Sequence, residues 1–84
     1  MNNVTEAQEA AYDYIDGAVY DGATKISWSQ IRNAVEKAPV QNPKNWMDIR
    51  EVLATYMDDG SLVRTVDLSV EEYNVDLYNM LRRS

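Results

Sequence analysis

"TYMDDGSLVRTVDLSVEEYNV", residues 55–75, reads as the end of a helix, a turn and two strands. Asp58-Asp59-Gly60 closes an apolar helical stripe, and Gly60 suits the left-handed position that follows a helix. "SLVRTVD" supplies an apolar strand with one cation, and "LSVE" supplies a hairpin tip. In "EEYNVDLY", Tyr73, Val75 and Leu77 alternate with Asn74 and Asp76, as in a half-buried strand. The charge of this hairpin poses a question. Asp58, Asp59, Asp67, Glu71 and Glu72, with Asp76 just beyond, face a single basic residue, Arg64.

Upstream lies the strongest helical period in the chain. Trp46, Ile49, Val52, Leu53, Tyr56 and Met57 recur at helical spacing. Asn42-Pro43 offers a cap followed by a proline in the first turn, which predicts a helix start there. A second helix begins at "SWSQ", residues 27–30, a capping box in which the Ser27 hydroxyl and the Gln30 amide each satisfy a backbone N–H of the other's end. Its buried face is Trp28, Ile31, Ala34 and Val35, and Pro39 stops it. "APVQNP" is a loop with Val40 tucked inward. A first helix is predicted over residues 5–20, capped by Thr5, with Ala7, Ala11, Tyr14, Ile15 and Ala18 as its apolar stripe. Gly22 ends it, and "TKIS", residues 24–27, reads as a short strand centred on Ile26. "NMLRRS" is a tail with room for one helical turn.

The chain of 84 residues predicts a single domain over 1–84. A chain of this size buries roughly 60–65% of the surface its unfolded form exposes. It has no Cys and no His. Packing alone must hold it, and the usual metal ligands, thiolate nucleophile and neutral-pH general base are missing. The three glycines are scattered and make no phosphate loop, and the Asp58–Ser61 run lacks the alternating oxygens of a calcium loop. No metal site, no cofactor and no catalytic group are therefore expected, and the protein reads as a non-enzyme. The amino-terminal stretch lacks the basic flank and apolar core of a signal peptide, and no run approaches a membrane span, so a cytoplasmic protein without a membrane partner is the expectation.

The order helix, short strand, helix, helix, hairpin resembles the winged helix-turn-helix family. "ISWSQIRNAV", "NWMDIREVLATYMDDGSLVRT" and "EEYNV" carry the resemblance, which covers most of the chain. It implies a small winged-helix-like α+β domain, with three helices, a short strand and a C-terminal β-hairpin. It also implies a DNA-binding transcription regulator, with the third helix in the major groove of duplex DNA and the hairpin, the wing, on phosphates. On that reading the outward face of the third helix is Lys44, Met47, Asp48, Glu51 and Thr55, with Arg50 near its edge, and Lys37, Lys44, Arg50 and Arg64 are the DNA-binding candidates. Such regulators pair through terminal helices, so the first helix or the tail can serve as a homodimer seam, and the oligomeric state stays open.

Charge points elsewhere. The net charge is −6, with eight basic residues against 14 acidic ones. Phosphate contacts by Lys and Arg supply most non-specific affinity for nucleic acid, and a negative chain repels it. In the first helix Glu6, Glu9, Asp13 and Asp16 are spaced three, four and three. They fall in a sector of about 80° opposite the apolar stripe and span roughly 15 Å, with no Lys or Arg in that helix. One reading is a solvated face whose repulsion aids solubility. The other is a row of carboxylates that imitates nucleic-acid phosphates and docks onto a basic, nucleic-acid-handling protein. Tyr12 and Tyr20 lie off the apolar face, and exposed tyrosines supply contact area in protein-binding surfaces. Glu6, Glu9, Tyr12, Asp13, Asp16 and Tyr20 are accordingly the partner-binding candidates. Small, acidic, Cys-poor composition of this kind is similar to that of phage anti-CRISPR and anti-restriction inhibitors.

Overall fold

The computed structural model describes residues 4–82. Arg83, counted above among the basic residues, and the last tail residue lie outside them. Helix α1 (Glu6–Tyr20) starts where Thr5 leaves the extended region: its Oγ1 accepts from the Gln8 amide at 3.1 Å, and Gln8 Oε1 accepts from the Thr5 amide at 3.0 Å. This is a full capping box, of which the sequence reading named only Thr5. Strand β1 (Lys25–Ser27) leads into helix α2 (Trp28–Lys37), where Ser27 and Gln30 form the expected box at 3.2 and 3.1 Å. Ala38 is extended, as the residue before a proline tends to be, and the helix stops ahead of Pro39.

Helix α3 (Met47–Asp58) begins later than Asn42-Pro43. Residues 41–43 carry no helix, and Asn45 Oδ1 accepts from the Met47 amide at 2.9 Å. The N-cap is half-buried Trp46, which has no side-chain capping bond; Asn45, one residue before it, satisfies the Met47 donor instead, and Asn42 sits before a proline, where helical backbone is disfavoured. Lys44 is therefore a loop residue rather than part of α3.

Helices α1 and α3 end in the same way. The Gly60 amide donates to the Met57 carbonyl at 3.1 Å and the Ser61 amide to the Tyr56 carbonyl at 2.9 Å, with Gly60 at φ 79°. At the end of α1, Gly22 donates to Val19 at 3.0 Å and Ala23 to Ala18 at 2.9 Å, with Gly22 at φ 98°. Both are Schellman closures that need a residue free of a Cβ penalty in the left-handed region.

Strand β2 (Leu62–Arg64), strand β3 (Glu72–Val75) and helix α4 (Leu77–Arg82) complete the chain. The sheet is antiparallel in the order β1-β3-β2, with Ile26 opposite Tyr73 and Leu62 opposite Val75. Leu77, expected as the last strand residue, instead opens α4, because Asp76 Oδ1 accepts from the Asn79 amide at 3.2 Å and converts the strand end into a helix start. Among the described residues there are four helices, where the sequence pattern predicts three and a helical turn.

One core unites these elements. Ala7, Ala11 and Ile15 of α1 meet Ile31 and Val35 of α2, Ile49, Val52, Leu53 and Tyr56 of α3, and Ile26, Leu62, Tyr73 and Met80 from the sheet side. Each large side chain in this set contributes roughly 1.5–3 kcal/mol relative to exposure. The result is a small winged-helix-like α+β fold in which β2 and β3 form a hairpin and β1 pairs along the other edge of β3.

Candidate functional site

Burial of Ala7, Ala11 and Ile15 turns the opposite sector of α1 to solvent. Glu6, Glu9, Asp13 and Asp16 are all exposed there. At about 100° per residue Tyr20 falls in the middle of the same sector, and it is 92% exposed. Among the described residues the ion pairs are Arg32–Glu36 and Arg50–Glu71, so no described cation neutralises this face. Glu6 and Glu9 lie in the first turn, where the helix dipole favours negative charge. Asp13 lies beyond that help.

The six partner-binding candidates divide on inspection. Glu6, Glu9, Asp13 and Tyr20 face outward together. Asp16 is exposed yet engaged, because the Tyr56 hydroxyl donates to its Oδ1 at 2.7 Å. Tyr12 departs from expectation. Its ring packs on Tyr56 with centroids 5.6 Å apart, and it is half-buried against the core. Position 12 lies beside the stripe, and the neighbouring helix α3 covers that flank. Tyr56 thus holds Tyr12 by its ring and Asp16 by its hydroxyl. Gln8 works the same flank, its side-chain amide donating to the Asp48 carbonyl at 2.9 Å. Thr5-x-x-Gln8 was a legible capping signal, whereas the reach of Gln8 across to α3 left no mark in the sequence.

The other end of the molecule tells what the DNA candidates do. Arg50 makes a bidentate pair with Glu71, Nη2 to Oε1 at 3.0 Å and Nη1 to Oε2, and its guanidinium lies 4.1 Å over the Trp28 ring. Trp28 meets Trp46 edge-on, centroids 6.1 Å apart at 88°, and Arg32 covers Trp46 at 4.7 Å. Two guanidinium groups therefore bracket two indoles in a seam between α2 and α3, each contact a cation–π attraction. Tyr73 closes the seam by donating to Glu71 Oε2 at 2.6 Å.

Ionisation follows this geometry. The Arg50 guanidinium holds the Glu71 carboxyl below the usual carboxylate range, and Glu71 in turn raises Arg50. Burial pushes the Tyr73 hydroxyl up to about 12, and its bond to Glu71 acts in the same direction.

Arg50 is thus spent on structure. Lys37 ends α2, Lys44 stands in the following loop, and Arg64 is exposed on β2. They come from three separate elements. The face of α3 turned away from the core carries Met47, Glu51, Ala54 and Asp58, all exposed, and no cation. Asp48, expected on that face, is half-buried on the α1 side.

The acidic hairpin question has a local answer. Asp59 Oδ1 accepts from the Ser61 amide at 2.9 Å. Asp67 Oδ1 accepts from the Ser69 amide at 3.0 Å and its hydroxyl at 2.6 Å, which forms the wing tip and lowers the Asp67 carboxyl. Glu71 holds Arg50 and Tyr73, and Asp76 starts α4. Four of the six carboxylates are turn and strap residues, the work for which short acidic side chains are favoured.

Among the described residues no helix is long and apolar enough to cross a membrane, and no group of three or more carboxylates is arranged to hold a metal ion. No protein-family model matches the chain, and no curated protein matches it.

Proposed function

We propose that this protein is a non-catalytic protein-binding module that docks through the acidic face of α1 onto a basic, nucleic-acid-handling protein, in the manner of a small phage-type inhibitor. The observation that carries the reading is the shared lack of cations on the two faces concerned. Glu6, Glu9 and Asp13 stand exposed beside Tyr20 with no described cation against them, and the outward face of α3, where a DNA reader needs cations, likewise presents Glu51 and Asp58 and no Lys or Arg. A row of carboxylates along a rigid helix presents charge at intervals that a phosphate-binding groove accepts, and complementary potentials steer encounter.

The test is affinity capture from a host lysate, with and without nuclease, using the parent protein and the Glu9→Lys/Asp13→Lys double variant. The expected result is a polypeptide retained after nuclease treatment by the parent and lost by the variant. Capture that the variant leaves unchanged removes the α1 face from the function.

The winged-helix-like topology favours a second reading, a DNA-binding regulator with Arg64, Lys37 and Lys44 on phosphates. Under it, duplex DNA binds with a steep inverse salt dependence, and Glu9→Lys/Asp13→Lys leaves that binding intact or improves it.

A further inference from the structure

One flank of the acidic face of α1 carries a trough in two parts. The first is an open hollow of about 440 Å³ between the Glu6, Glu9 and Asp13 carboxylates and an apolar wall of Ala34, Ala38, Pro39 and Val40. The second, of about 700 Å³, lies over Gly17 and Ala18 and is lined by Asp13, Asp21 and Ala23. Half-buried Tyr14 is a wall of both.

Gly17 is the residue of this flank that the fold does not explain. It lies inside α1, where glycine is disfavoured. Positive φ belongs to Gly22 and Gly60, and a Cβ at Gly17 would meet nothing within 4 Å. Neither backbone conformation nor packing within the chain calls for glycine here, and its bare backbone keeps the second hollow open.

Charge selects the occupant. No described Lys or Arg lines either hollow, and Glu6, Glu9, Asp13 and Asp21 take part in no described ion pair. The carbonyl end of α1 falls at the second hollow, with no basic residue in its last turn. The surrounding cations stand outside the trough. Lys25 is exposed on β1, Lys37 ends α2, Lys44 lines a separate hollow with Glu6 and Asp48, and Arg82 of α4 lies over the Tyr78 ring at 5.7 Å. Arginine fits this setting better than lysine. Its guanidinium is weakly hydrated, its stem covers small apolar side chains, and aromatic rings attract it. A second copy of this chain is a poor match, because each copy carries −6.

We infer that the hollow over Gly17 receives an arginine side chain of the partner, with its guanidinium between Asp13 and Asp21 and its stem against Ala18 and Ala23. The inference rests on the protein-binding reading above and adds the partner's chemistry to it: arginine seated in a hollow, rather than positive charge alone.

The probe is a flexible, fluorescently labelled Arg-Gly-Ser repeat peptide, compared with a Lys-Gly-Ser repeat of equal length and charge. Binding is measured by anisotropy at about 0.15 M salt, where exposed charge pairs are screened beyond about 8 Å. Four forms of the full chain are used: the parent, Gly17→Ala, Gly17→Gln and Glu9→Lys/Asp13→Lys. Both Gly17 variants keep the net charge and are expected to melt at a higher temperature than the parent, so lost binding in them is not lost folding. The parent is expected to bind the arginine peptide about threefold or more tightly than the lysine peptide, the effect of one guanidinium seated against an aromatic wall. Gly17→Ala is expected to keep that margin, and Gly17→Gln, whose side chain fills the hollow, to lose it. A parent that binds both peptides equally, or a Gly17→Gln variant that keeps the margin, overturns the hollow; the acidic-face reading then stands if Glu9→Lys/Asp13→Lys weakens both peptides. If that double variant weakens neither, both readings fall. A parent that sediments as a dimer, and a Gly17→Gln variant that sediments as a monomer, overturn the inference in favour of a second copy.

Discussion

Residues 58–76 and helix α1 each carry a concentration of carboxylates, and the two regions use them in opposite ways. In the wing region Asp59, Asp67, Glu71 and Asp76 each accept hydrogen bonds that close a turn, start a helix or clamp a side chain. On α1 Glu6, Glu9 and Asp13 point outward with no described cation against them, and only Asp16 takes part in packing. Local charge density in the sequence is much the same in both places. The difference lies in whether a donor is within reach, which depends on tertiary placement. Acidity at the wing therefore says little about partners, and acidity on α1 is the surplus on which the proposed docking rests.

Variants can break or sharpen this contrast. The largest effect is expected at Glu71. Glu71→Ala leaves the half-exposed Arg50 guanidinium and the buried Tyr73 hydroxyl without their shared acceptor. A loss of about 2 kcal/mol in urea-denaturation stability is expected, below the value for a fully buried pair because the guanidinium reaches solvent. A loss within measurement error would show that the wing carboxylates are as dispensable as those of α1.

The pH profile gives the same contrast without a gross change in packing. The folded Glu71 carboxyl is held below its ordinary value of 4.5. Its contribution is therefore present above that value and is lost as pH falls through the folded value. Tyr73 works in the other direction. Its hydroxyl is raised from 10.0 to about 12, so its contribution is intact below 10 and is lost as pH rises toward 12. Thermal melts across pH should show both limbs, Glu71→Gln flattening the acid one and Tyr73→Phe the alkaline one. An ultraviolet titration of the parent should show a tyrosine that ionises near 12.

Cap loss comes next. Ser27→Ala removes one acceptor of the α2 capping box, and a decrease of about 1 kcal/mol is expected in the same denaturation assay. The smallest stability effect belongs to α1. Glu9→Lys/Asp13→Lys replaces like-charge neighbours with cations facing the remaining acids but loses the favourable charge of Glu9 at the helix N-terminus, and these opposing effects are expected to leave a net change of no more than a few tenths of a kcal/mol. A large destabilisation by this double variant would mean that the α1 carboxylates are structural after all.

Local chemistry accounts for what the sequence made legible. Capping oxygens at Thr5 and Ser27, the apolar periods of α1 to α3, and the glycines at 22 and 60 are short-range signals, and the fold follows them. The later start of α3 was hidden because Asn42-Pro43 imitates a helix start, whereas the helix begins after Trp46, with Asn45 accepting from the Met47 amide. Strand and helix also compete at Leu77, where an alternating pattern continues but Asp76 caps a helix. The α1 face was legible as a sector, since helical spacing alone defines it. Inward packing of Tyr12 was not, because a neighbouring helix reaches beyond the stripe. The coupling of Arg50 to Glu71 spans 21 residues and joins two elements that share no local period. Arg50, which the family resemblance offers to DNA, is tied to Glu71 and so joins α3 to the segment that leads into β3.

That tie has a practical consequence for optical work. Both tryptophans of the chain lie in the one seam, each under a guanidinium and edge-on to the other. Intrinsic indole emission therefore reports on that single seam, where Arg50 and Glu71 tie the hairpin to α2 and α3. A ligand settling on the far helix leaves that signal dark, whereas detachment of the hairpin changes it at once, so one cuvette can separate docking from local opening.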